Sequence, residues 1–107
     1  MNEKERLFEK ISRLPSLVDM GVIIEDLSLL DADMEWWPRD IRRRVLAEGL
    51  EKRKFFATRE QALEAVELWM QAKEMFGLRQ VHHARLLISE YNSYLERLRS
   101  EPTVKSS

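Results

Sequence analysis

Residues 57–77 read "ATREQALEAVELWMQAKEMFG", and this stretch decides the fold. Thr58 with Gln61 three residues later is a capping box opening an apolar-periodic run. At the far end, Gly77 takes the left-handed conformation that closes a helix without steric penalty. The segment predicts a helix from Thr58 to about Phe76.

Working outward, residues from about Arg79 to Arg99 predict a further helix. Val81, Ala84, Ile88, Tyr91, Leu95 and Leu98 are spaced 3, 4, 3, 4, 3, an a/d heptad seam. Leu87 and Tyr94 widen it. The short link at Gly77–Leu78 predicts an antiparallel hairpin of these last two helices; one long bent helix is the alternative. The last residues, "SEPTVKSS", read as a frayed tail.

Toward the amino terminus, Leu7, Phe8, Ile11 and Leu14 share one face of a helix from Asn2 to Arg13. Pro15 stops or kinks it. Ser16 then caps a second helix, with Asp19 at the capping-box position and Met20, Ile23, Ile24, Leu27 and Leu30 as its stripe. Gly21 weakens that helix, and a short strand through "GVIIEDL" is the alternative. Residues 31–37 read as a connector, and Pro38 suits the first turn of a third helix running to about Lys54. The expected fold is all-α, a bundle of about five helices, with one domain over 1–100 and a flexible tail over 101–107.

The totals remove several function classes. The 107 residues contain no cysteine, so disulfides, thiolate catalysis and cysteine metal sites are excluded. The start, "MNEKERLFEK", has no apolar core of a signal peptide. The longest apolar run, "MGVII", is far short of the ~20 residues of a membrane span. These features predict a cytoplasmic protein with no membrane contact and no cofactor. Isolated glycines rule out a phosphate-cradling loop. His82 and His83 are adjacent, and so point about 100° apart on a helix, whereas a shared metal wants i, i+4 spacing. Their ordinary reading is one packed and one exposed histidine. No spacing suggests a nucleophile, and an enzyme with a site invisible in the sequence is a remote alternative.

Charge is unevenly spread. Residues 1–38 carry nine acids and four bases, whereas 39–59 carry eight bases and three acids. The join, residues 33–44, reads "DMEWWPRDIRRR". Winding the third helix at 100° per residue puts Arg39, Arg42, Arg43, Arg53 and Lys54 within an arc of about 120°. Leu46 and Leu50 lie in the same arc. Arg44 and Lys52 fall outside it, four residues after Asp40 and Glu48, as favourable local pairs. Trp37, Ile41 and Val45 line the opposite side and are the better core candidates on that helix.

Three readings follow. In the first, Leu46 and Leu50 are core and the acids Glu25, Asp26, Asp31, Asp33 and Glu35 fold back to neutralise the bases. In the second, Trp36, Arg39, Arg42, Arg43, Leu46, Leu50 and Arg53 form a contact surface for another protein with an acidic face. In the third, the same bases meet nucleic acid, although a pI near 6 and the lack of a recognisable module argue against it. The second reading is the expectation: a small non-catalytic regulatory or adaptor protein. Self-association through Val81, Ala84, Ile88, Tyr91, Leu95 and Leu98 is a further possibility, with packing inside the chain as its alternative.

Overall fold

The computed structural model describes residues 2–77 and 81–100, the side chains of Val81 and His82 excepted. Five helices make up the described chain: α1 (Glu3–Ser12), α2 (Met20–Asp31), α3 (Arg39–Lys52), α4 (Arg59–Phe76) and α5 (Val81–Ser100). The segment "GVIIEDL" is helix, not strand. The expected tail, 101–107, lies outside the described residues.

The caps show why the helices begin where they do. Asn2 accepts from the Glu5 amide at 2.8 Å. Thr58 accepts from the Gln61 amide at 3.2 Å, and Gln61 in turn accepts from the Ala57 amide at 3.1 Å. The expected Ser16 cap of α2 is corrected: Asp19 itself is the cap, accepting from the Gly21 amide at 2.6 Å. Ser16 donates instead to the Val18 carbonyl. Asp19 directly precedes the first helical residue, is a favoured cap, and carries a charge that suits the helix dipole. Gly21 is explained by proximity. A Cβ there would lie 2.8 Å from Asp19 Oδ1 and 3.3 Å from Ile88 Cγ2, so glycine makes room for the cap and for α5.

α3 ends two residues before the expected boundary. Arg53 is its cap and Lys54 adopts a left-handed φ of 58°. The Phe55 amide donates to the Leu50 carbonyl at 3.3 Å and the Lys54 amide to Glu51 at 2.9 Å. That is a Schellman motif, and its usual apolar contact is available in the buried Leu50 and Phe55. A side chain at this φ is strained where glycine is not. Lys54→Gly is therefore expected to stabilise the fold by about 0.5–1 kcal/mol, after glycine's larger entropy loss is set against the relieved strain. The urea midpoint should rise with an unchanged slope; a fall would mean the lysine stem packs usefully.

α3 lies along α4; α2 packs on α5 and α3; α1 packs on α4 and α5. The antiparallel hairpin expected of α4 and α5 is not confirmed: its turn, 78–80, lies outside the described residues, and α5 packs chiefly on α2. The core is continuous. Leu7, Phe8, Ile23, Leu27, Leu46, Leu50, Val66 and Met70 are its largest fully buried apolar side chains. Phe8 sits at the crossing of three helices, stacked on Phe76 at 6.1 Å and edge-on to Tyr91 at 5.6 Å, with Tyr94 also at 5.6 Å. Burial pushes the Tyr91 phenol up, and the charges of Asp19 and Tyr94 add to the shift.

Candidate partner-binding surface

The apolar pair within the basic arc of α3 faces inward, and Arg39, Arg53 and Lys54 stay exposed at its margins. Leu46 and Leu50 are fully buried, so they are core and not docking anchors. This corrects the expected phase of the helix. Trp37 and Val45 are only half-buried and Ile41 is 41% exposed, so the side expected to face the core faces outward. Ala47, also fully buried, explains the choice. A small side chain beside two leucines permits close helix packing, which the branched and aromatic residues of the other face do not.

Facing inward brings the arginines to acids of neighbouring helices. Arg39 pairs with Glu67 at 2.6 Å and Glu74 at 3.4 Å, and Arg43 with Glu67 at 3.5 Å. Arg53 pairs with Asp26 at 3.0 Å, and Arg42 with Asp31 at 3.3 Å. The premise that these four are unpartnered is thus overturned. Arg59, in the same basic segment, bonds Glu51, and that hydrogen bond and the carboxylate's charge raise its pKa. The expected local pairs Asp40–Arg44 and Glu48–Lys52 do not form. Among the described residues, Arg44, Lys52 and Lys54 make no ion pair.

The centre of this network is Asp31, 1% exposed at the end of α2. Its Oδ2 accepts from Lys73 Nζ at 2.7 Å and from the Trp69 indole at 3.2 Å. Arg42 Nε lies 3.3 Å from Oδ1 as an ion pair without an aligned hydrogen bond. Lys73 also reaches Glu35 at 3.4 Å and stands 6.0 Å from the Trp69 ring. The cluster joins α2, α3 and α4. Opposite charges neighbour one another across the three helices, which is a structural use of Arg42.

What remains exposed is different in kind. The connector is pinned by the Met34 amide to Asp31 at 3.0 Å, the Trp37 amide to Met34 at 2.9 Å, and Arg42 to the Glu35 carbonyl at 3.4 Å. On this held segment Trp36 is 83% exposed, its ring edge-on to Trp37 at 6.2 Å. Of the seven expected contact residues, Trp36 alone combines a large apolar surface with full access to solvent.

The expected association seam of α5 is largely used inside the chain. Ala84 and Tyr91 are buried with Leu87 and Tyr94, Ile88 and Leu95 are half-buried, and Leu98 is exposed. Val81 lies outside the described side chains. A surface recess of about 260 Å³ lies where α4 meets α5, lined by Phe76, Gly77, His83, Leu86, Leu87 and Glu90. No group of three or more metal-ligating side chains occurs among the described residues, and no described helix is long and apolar enough to cross a membrane. No family model, curated protein or solved structure compared with the chain matches it.

Proposed function

We propose that the chain is a non-catalytic binding protein whose partner is another protein, with Trp36 as the principal anchor. The observation that carries this is the 83% exposure of Trp36 on a segment fixed by hydrogen bonds and by the Glu35–Lys73 ion pair. An indole held in water on an ordered support pays little entropy when a partner covers it, and tryptophan is enriched among the residues that dominate binding energy. The half-buried Trp37 extends the apolar surface beside it. The internal pairing of Arg39, Arg42, Arg43 and Arg53 removes them as the main source of affinity and disfavours phosphate as the ligand.

The test is affinity purification from the native host with and without nuclease. Trp36→Ala should keep the wild-type helical spectrum and melting temperature, because the side chain is exposed. It should weaken capture of the partner by about 2 kcal/mol or more, roughly thirtyfold. Unchanged capture refutes the proposal. Co-purifying nucleic acid that high salt removes assigns the surface to nucleic acid instead.

A further inference from the structure

α2 is apolar on more sides than its place in the bundle uses. Ile23, Ile24 and Leu27 face the core, and α3 and α5 flank the helix. Winding α2 at 100° per residue puts Val22, Glu25, Leu29 and Ala32 within about 80° on the remaining side. All four are exposed, Val22 by 49% and Leu29 by 56%. Their spacing of 3, 4 and 3 is that of a helix-packing seam, and Val22 and Leu29 are one heptad apart. Asp33, also exposed, follows the helical cap Ala32 just past the end of the helix. Scattered surface leucines need no explanation, but an aligned pair on a helix without a single lysine or arginine does.

The charges on this side say what fits it. α2 has three acids, and two are taken inside the chain: Asp26 by Arg53, and Asp31 by Lys73 and Arg42. The carboxylates of Glu25, between Val22 and Leu29, and of Asp33, just past the helix end, make no ion pair or hydrogen bond among the described residues. A second copy of the chain is a poor occupant. An antiparallel pairing that sets Val22 against Leu29 brings the two copies of Glu25 within one residue step of each other, and an in-register parallel pairing sets them side by side. Like charges at the middle of an apolar seam oppose association.

We infer that the outer side of α2 is a docking seam for an amphipathic helix of another protein, one that carries basic residues opposite Glu25 and Asp33. The aliphatic line supplies the desolvated contact, and the two carboxylates set partner choice and direction. This deepens the reading of the chain as a binding protein by naming the shape and charge of what it binds.

The probe is a labelled three-heptad helical peptide with leucine and isoleucine at its seam and lysine at the two positions facing Glu25 and Asp33; its control carries glutamate there. Fluorescence anisotropy should show the lysine peptide binding at least about tenfold more tightly than the control. Leu29→Ser should weaken it by about tenfold while leaving the helical spectrum and melt unchanged. The double variant Glu25→Lys, Asp33→Lys should reverse the preference between peptides. Equal binding of both peptides, or of neither, overturns the inference. So does a concentration-dependent dimer that Leu29→Ser dissolves, which would make a second copy the occupant. Trp36→Ala should leave peptide binding intact. If the peptide fails while Trp36→Ala still abolishes capture of the native partner, the seam falls and the proposed function stands.

Discussion

Replacing Asp31 with alanine is expected to cost about 3–5 kcal/mol, because it leaves two largely enclosed cations facing each other without their carboxylate. Arg42 and Lys73 each expose only 15% of their side chains, and the Trp69 indole loses its acceptor as well. Against a total stability of about 5–15 kcal/mol, a loss of this size unfolds a substantial fraction of the protein when heated modestly. The measurement is a urea titration, read as a fall in midpoint. A change below about 1 kcal/mol would mean that water replaces the carboxylate at little cost. The combined replacement Asp31→Leu, Arg42→Met, Lys73→Met separates the pairing from the need for it. With all three charges gone, stability should return to within about 2 kcal/mol of the original, since a well-packed apolar cluster matches a buried ion cluster.

Phe8→Ala should cost a similar 3–5 kcal/mol by a different route, the loss of buried ring surface and the cavity left behind. Phe8 is fully buried and touches the rings of Phe76, Tyr91 and Tyr94, so the cavity opens between α1, α4 and α5. This variant has a second readout. Burial is the main reason the Tyr91 phenol titrates high. Letting water into the site should bring its pKa back toward the ordinary value, seen by absorbance at alkaline pH. A folded variant with an unmoved phenol would mean the site collapses around the cavity.

Much of the fold is legible in local chemistry. The capping box of Thr58 and Gln61 and the left-handed Gly77 bound α4 where the residues alone put them. The face of Leu7, Phe8, Ile11 and Leu14 is buried as its spacing requires. The misread features share a physical cause. A helical wheel tells which residues share a face, not which face meets the core. α3 has two apolar lines, and only its neighbours choose between them. The deciding signals lie far away in sequence: Asp26 and Asp31 on α2, and Glu67 and Glu74 seven residues apart on α4. Arginines that look idle on one helix are partners of acids on two others. The end of α3 hides for a simpler reason. Its left-handed residue is Lys54, where a glycine would have announced the stop.

The α1–α2 loop and the α3–α4 corner are tied together: the Leu17 amide donates to the Phe55 carbonyl at 2.8 Å. That bond turns α2, the connector and α3 into a ring pinched at its neck. The chain enters and leaves the ring at nearly one point, while α3 packs along α4 and α2 on α5 in the common core. Closure entropy grows only with the logarithm of ring length, so a few residues added to the connector change it by about 0.1 kcal/mol. Added length in the connector would thus leave the neck closed, and its cost would fall on the hydrogen bonds that hold the segment bearing Trp36.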